Sequence, residues 1–381
     1  MKIAKRIFKV FLAAFLSLVT LLLVFLGASC IAGFMQIDKN IEYQDKHLEY
    51  LKNEYYNDSY VPCDEQSLAN FNIEDAFSQG VKMNEIAVMG THNSYQMVAT
   101  LPKRALMRTL QIISFGAVEN KAIFEMDTFT DQLEKGVRNL EIDIVTVDDG
   151  DNVSFIVTHQ PILDNVSSAY NFAKAVEEIA MWSDNNPGHL PVYLLIEPKG
   201  DVTSVNHMKN FSVEYALELD KVLREKLGDK LLTPALTMRE YESFEAMRNA
   251  DDWPDLKEAA GKVVVLMHPC DVTQGYIDID TSIKTQAMFP MLRFSDIDKS
   301  YASFILDNDP EGAVENNKIT VNEKRLMVRT RADDYPDFSD ERYSFAENCG
   351  SHIITTDYPP RSVRNYDHTY TFDGYMMKRL K

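Results

Sequence analysis

Two carboxylates set two residues apart in an otherwise apolar run constrain this chain more than any other feature. In VRNLEIDIVTVDDGDNVSFIVTHQP, residues 137–161, Glu141 and Asp143 alternate with Leu140, Ile142 and Ile144. On a strand both would project from one face. Two ionised carboxylates side by side in an apolar strand repel each other and lose solvation, which argues for a cation between them. The competing reading is an edge strand with one solvated face. Past an Asp/Gly/Asn turn, a second apolar run from Phe155 to Val157 leads to His159. A hydrophobic strand that delivers a polar residue at its C-terminal end is the arrangement found at the rim of a parallel α/β barrel.

The same pattern recurs along the chain. Ile86–Met89 leads to Gly90-Thr91-His92-Asn93, and 191–196 leads to Glu197 and Lys199. The run 262–267 has almost no alternation, so it reads as a strand covered on both faces. Residues 327–331 and 352–357 read as two more strands, the first carrying Arg329 and Arg331 ahead of Asp333. Helical periodicity falls between them: a short helix over 127–135 stopped by Gly136, then Phe172 to Trp182, 212–227 ended by Gly228, and 237–249 with Thr237 and Glu240 spaced as a capping box. Residues 101–126 give no assignable pattern, and 268–318 are weakly patterned. Alternating strands and helices predict a parallel sheet, and the length favours its closed (β/α)8 form of about 250 residues.

The boundaries expected are 1–36 for a signal anchor or signal segment, 37–80 for a polar, Tyr-rich stalk, 81–366 for the barrel and 367–381 for a C-terminal tail. Residues 10–35 contain no charged side chain, more than the roughly 20 needed to span a bilayer core. Lys2, Lys5, Arg6 and Lys9 precede them with no acid, so the rest of the chain would lie outside the cytoplasm. A second reading takes the Leu26–Cys30 stretch as a lipoprotein processing site, with Gly27 where Leu is expected. A membrane-anchored protein with an extracytoplasmic catalytic domain, or a secreted or lipoprotein form, is therefore expected. The formal charge is −19, and setting aside the basic leader leaves about −23 on the remainder. Charge alone will not draw such a domain to nucleic acid or to an anionic bilayer. Cys30, Cys63, Cys270 and Cys349 form no C-x-x-C pair, which argues against a zinc or dithiol centre.

Four strand ends thus supply His92 and Asn93, Glu141 and Asp143, His159, and Glu197 with Lys199. The oxygen-rich set Asn93, Glu141, Asp143 and Glu197 suits Ca²⁺, a hard cation that takes six to eight oxygen ligands. Two imidazoles can divide general base and general acid work, and a lysine can stabilise charge on phosphate oxygens. Each residue also has an ordinary reading: a histidine capping a strand end, an Asn shaping a turn, a solvated lysine, arginines paired to an acidic domain. The other histidines, His268 among them, read as structural.

At THNSY (91–95), QLEKGVRNLEIDI (132–144), the T-H-Q-P around His159, WSDNNPGHLPVYLLIEPK (182–199), DWPDLKEAAGKVVVL (252–266), VRTRAD (328–333) and ITTDYP (354–359), the chain resembles the calcium-dependent phosphoinositide phospholipase C group of TIM-barrel phosphodiesterases. The resemblance implies that His92 and His159 are catalytic. It implies that Asn93, Glu141, Asp143 and Glu197 hold Ca²⁺, and that Lys199 and Arg331 face the substrate phosphate. It further implies attack of an inositol 2-hydroxyl on phosphorus, with diacylglycerol and a cyclic inositol phosphate as products and a phosphoinositide or related membrane lipid as substrate. A glycerophosphodiester phosphodiesterase, which typically carries His-Arg-Gly where this chain has His92-Asn93-Ser94, and an inactive headgroup-binding barrel are the competing readings.

Overall fold

The computed structural model describes residues 2–113, 124–159, 161, 165–200, 207–312, 320, 323–334, 337–360, 362 and 368–380. The strands are β1 (Ile86–Thr91), β2 (Asn139–Asp148), β3 (Val153–Val157), β4 (Val192–Pro198), β5 (Met208–Lys209), β6 (Val263–Met267), β7 (Phe289–Leu292), β8 (Phe304–Asp307), β9 (Met327–Arg331), β10 (Ile353–Thr356) and β11 (Met377–Arg379). Eight of them, β1-β2-β4-β6-β7-β8-β9-β10, pair in parallel and return to β1, closing a (β/α)8 barrel as expected. These strands are apolar and buried almost throughout because side chains fill the barrel on one face and meet helices on the other.

The barrel's seam lies between β1 and β2, joined by the single pair Gly90↔Asn139. A Cβ on Gly90 would lie 2.6 Å from the Asn139 Cβ, so the close approach requires glycine. The base of β1 also pairs antiparallel with β11, over Ile86↔Arg379 to Val88↔Met377. The segment expected as a tail therefore contributes a strand.

Several expectations are corrected. The run ending at His159 is not a barrel strand: β3 folds back antiparallel on β2, Ile144↔Val157 to Asp148↔Val153. β2 is ten residues long and overshoots the rim, and β3 returns along the overshoot. Within the weakly patterned 268–318, β7 and β8 complete the barrel wall. The helix expected over 237–249 is two short helices, Pro234–Met238 and Phe244–Asn249, capped by the side chains of Thr233 and Ser243. Arg239, at φ +52°, breaks the path between them. Part of the unassigned 101–126 is a helix, Leu101–Ile113.

The helices expected over 172–182 and 212–227 form as Phe172–Asn185 and Val213–Leu227. Asn171 and Ser212 accept the Lys174 and Tyr215 amides at their starts. The segment expected as a free stalk instead packs on the barrel's flank. One helix runs from Lys2 to Tyr50, and its last turns lie along the helix Phe172–Asn185. Asn40 Nδ2 donates to the Asn165 carbonyl, Gln44 Nε2 to the Asn171 carbonyl at 3.0 Å, and His47 Nε2 meets Glu178 at 3.1 Å. Leu48 and Leu51 are buried there. Farther toward the N-terminus most described apolar side chains are exposed, with Phe8, Phe11 and Phe15 among them. Among the described residues, no helix is long and apolar enough to cross a membrane; many side chains of 1–36 lie outside those residues.

Candidate active site

The C-terminal ends of the parallel strands surround one mouth, and the first polar residues past those ends line it. β1 delivers His92 and Asn93. Asn93 adopts φ +47°, a left-handed conformation that Asn tolerates better than most residues. β2 carries Glu141 and Asp143 on its inward face, and its register with β4 sets Asp143 opposite Glu197. Oxygens of Glu141, Asp143 and Glu197 all lie within 4.8 Å of one another. The desolvation that argued for a cation at the sequence level is present: Glu141 and Asp143 are 2% and 0% exposed.

The structure also shows which cations face these acids. Lys199 Nζ lies 3.0 Å from Asp143 Oδ2 and 2.8 Å from Glu197 Oε1, so its ammonium is placed where a metal's positive charge would fall. Tyr95 Oη donates to Asp143 Oδ2 at 2.9 Å. Arg329 pairs with Glu141 and Asn308 from the far side of the barrel. Burial would raise the Glu141 carboxyl, yet Arg329 and His92 hold it below the usual range. Burial likewise opposes ionisation of Glu197, but Lys199 and His268 hold it down at about 2. Burial pushes Asp143 up, its other two carboxylate neighbours adding to the effect against the pull of Lys199.

The donor set fits a hard divalent cation. The Oδ1 atoms of Asn93 and Asp143 are buried with no hydrogen-bond partner, an expensive state unless another group engages them. Glu141, Asp143 and Glu197 form an all-oxygen cradle of the kind calcium takes, and Asn93 follows the end of β1 at the same mouth.

His92 is fixed by Asp357, which the sequence did not single out, and by Arg331, which it did. Its Nδ1 lies 2.9 Å from Asp357 Oδ1, and Asp357, at the end of β10, is 1% exposed. Arg331 Nη2 lies 3.2 Å from the same nitrogen. A guanidinium can only donate, so the shorter carboxylate contact assigns the proton to Nδ1. In the neutral ring Nε2 is then the acceptor, and it faces the acidic cluster with Glu141 Oε1 at 3.9 Å. Arg331 also bonds Asp334 at 2.9 Å and approaches Asp357 Oδ2 at 3.5 Å. Asp333, buried beneath, accepts from Thr356 Oγ1 and from the Asp357 amide, which positions Asp357.

His159 reaches the same mouth from the returning hairpin. The Thr158 amide donates to the Asp143 carbonyl at 3.1 Å, so the half-buried His159 follows at the level of the acidic cluster. His268, read as structural, is a rim residue: its amide bonds the Ile196 carbonyl at 2.8 Å, and its ring feels both Glu197 and Glu141. Burial nonetheless lowers its pKa. His189 and His352 are structural, bonded to Ser183 and the Leu190 carbonyl, and to the Val328 amide and the Asn84 carbonyl. Cys63 and Cys270 are free thiols, and the buried Cys349 Sγ donates to the Ala346 carbonyl at 3.1 Å.

A (β/α)8 barrel whose mouth joins an oxygen-only cation cradle to an oriented imidazole, with two arginines and a lysine beside it, belongs to the class that handles phosphate esters with a hard metal. The family model described as phosphoinositide phospholipase C, Ca²⁺-dependent, matches residues 81–155 and 151–381. The chain belongs to that family, and is a Ca²⁺-dependent phosphodiesterase. In fold it is similar to a calcium-dependent phosphoinositol-specific phospholipase C from Pseudomonas sp. in a myoinositol complex. The TM-score is 0.53 and the identity 16%, with 80% of this chain and 96% of that one covered. It is also similar to a Ca²⁺-dependent phosphatidylinositol-specific phospholipase C from Streptomyces antibioticus, at a TM-score of 0.51 and 18% identity over 72% and 94% of the two chains. No curated protein matches the sequence.

Proposed function

We propose that the chain cleaves phosphatidylinositol-type lipids by attack of the inositol 2-hydroxyl on phosphorus, releasing diacylglycerol and a cyclic inositol phosphate. The observation that supports this most is the Asp357–His92 contact, which directs the neutral ring's lone pair to Nε2 beside the cation cradle. His92 Nε2 takes the 2-hydroxyl proton as the new P–O bond forms. His159, on the returning hairpin, gives a proton to the diacylglycerol oxygen as its bond to phosphorus breaks. Asn93, Glu141, Asp143 and Glu197 would hold Ca²⁺, which supplies Lewis-acid stabilisation of the hydroxyl and the phosphoryl oxygens. Arg331, beside His92, and Lys199, once released from an acidic partner, meet the phosphate's charge.

Incubation with phosphatidylinositol and Ca²⁺ should release cyclic inositol phosphate. Chelation, His92→Ala or His159→Ala should each abolish release. Turnover retained in a folded His92→Ala protein, or glycerol phosphate as the product, would overturn this reading.

Attachment to a membrane through residues 1–36, with the barrel outside the cytoplasm, completes the proposal. It is supported by the uncharged run at 10–35 behind four basic residues and by the exposed Phe8, Phe11 and Phe15. Resistance of the full chain to alkaline carbonate extraction tests it, and recovery in the soluble fraction without those residues would replace it with secretion.

A further inference from the structure

We infer that the N-terminal helix aims the catalytic mouth at the same bilayer it enters, so that the substrate is lipid of the protein's own membrane. The inference rests on the membrane attachment proposed above and adds direction to it. The helix Phe172–Asn185 starts near the barrel's rim, where the Tyr170 carbonyl accepts from the Val157 amide at 2.7 Å. It ends at the base, where the Gly261 amide bonds the His189 carbonyl just before β6 begins. The N-terminal helix descends alongside it. Asn40 bonds at Asn165 and Gln44 at Asn171, near the rim. His47 bonds at Glu178, mid-helix, and Tyr60, past the helix end, reaches Asn186 at 3.0 Å near the base.

Residue number thus rises from rim to base, so the part before Gln36 continues past the rim. At 1.5 Å per residue the uncharged run is about 39 Å long, and it leaves the barrel on the side where His92, Glu141 and Asp357 open. A second element agrees. The helix Leu101–Ile113 departs from the loop after β1, on that same rim, and packs against the N-terminal helix. It keeps Leu101 and Ile112 exposed, at 72% and 66%. Two exposed apolar segments on the mouth side fit a lipid surface better than a second protein, because the family's substrate is itself a membrane lipid. At the base Glu74 and Asp75 are exposed, and Val61 is a single exposed apolar side chain beside them rather than part of an apolar helix.

The full chain, with Cys30, Cys63 and Cys270 changed to Ser, Cys349 being buried, and a fluorophore on Ile112→Cys or on Glu74→Cys, is reconstituted in vesicles carrying a lipid-borne quencher. Quenching at position 112 and little at 74 is the expected result; equal quenching, or the reverse, overturns the inference. With phosphatidylinositol confined to the protein's own vesicles or to separate acceptor vesicles, own-vesicle lipid should be cleaved roughly 100-fold faster. Equal rates also overturn it. Loss of the protein to carbonate extraction fails the attachment reading instead, and no hydrolysis of detergent-dispersed phosphatidylinositol with Ca²⁺ fails the catalytic one.

Discussion

Asp357 never touches the proposed reaction path, yet it sets the tautomer of His92. Asp357→Asn should lower kcat by about 10²–10⁴-fold, with KM little changed, because the amide no longer requires a proton on Nδ1. Steady-state kinetics of the variant with Ca²⁺ present, alongside its melting temperature, measure this. His189 offers a prediction free of the metal site. Burial lowers its pKa to about 4, so it stays neutral in the fold while the unfolded chain takes up its proton near pH 6.5. Stability from this group is present above that pH and is lost as the pH falls towards 4, by about 3 kcal/mol. Urea unfolding from pH 7 to 4 should therefore be steeper in pH for the wild type than for His189→Gln.

The residues legible in the sequence were those whose local pattern was itself costly. Glu141 and Asp143 are expensive wherever an apolar strand carries them. Asp357 and His268 are single polar residues after ordinary strands. Their surroundings are made by neighbouring strands and are invisible along the chain. The signal that could have found them is the rule already applied to His92: the first polar residues past every barrel strand.

At the scale of elements, the seam is the weak point. Gly90→Ala should push β1 from β2 and cost about 1–3 kcal/mol, read as a lower melting temperature. Leu51→Ala should cost about 2–4 kcal/mol if the flank contact is part of the folding unit. A second, earlier transition in calorimetry would instead mean that the N-terminal helix melts separately.

Strand length decided what could be read. β4 and β6 are mostly apolar runs of seven and five residues. β7 and β8 have four residues each, too few for any period to show, and Pro290 sits within β7. β3 was legible as a strand but misjudged in direction. Only four residues separate Asp148 from Val153, whereas a parallel crossover needs a dozen or more, and Gly150 at φ +93° makes a tight reversal. The 37–80 segment misled because more than half of its side chains are polar; the ones its first helix buries, Asn40, Gln44 and Leu48, recur every four residues.

For the whole molecule, the acidic mouth couples metal to stability. Ca²⁺ should raise the melting temperature and a chelator should lower it, the stabilisation reaching about 2.7 kcal/mol at a hundredfold excess over Kd. Lys199→Met removes the internal ammonium from between Asp143 and Glu197. In chelator it should melt below the wild type, and the rise on adding Ca²⁺ should be larger; differential scanning fluorimetry with and without the ion compares the two.

The closure of the ring has a consequence for biosynthesis. β1 is the first barrel strand a ribosome would make, yet its partners β10 and β11 are the last. Until those strands are made the hydrogen-bonding groups of Ile86–Val88 wait uncommitted, an open template to which any stray strand could add. That edge stays open until β10 and β11 are free to pair, so slowed synthesis of the segment between β9 and β11 should cost yield more than slowed synthesis of the segment before β1.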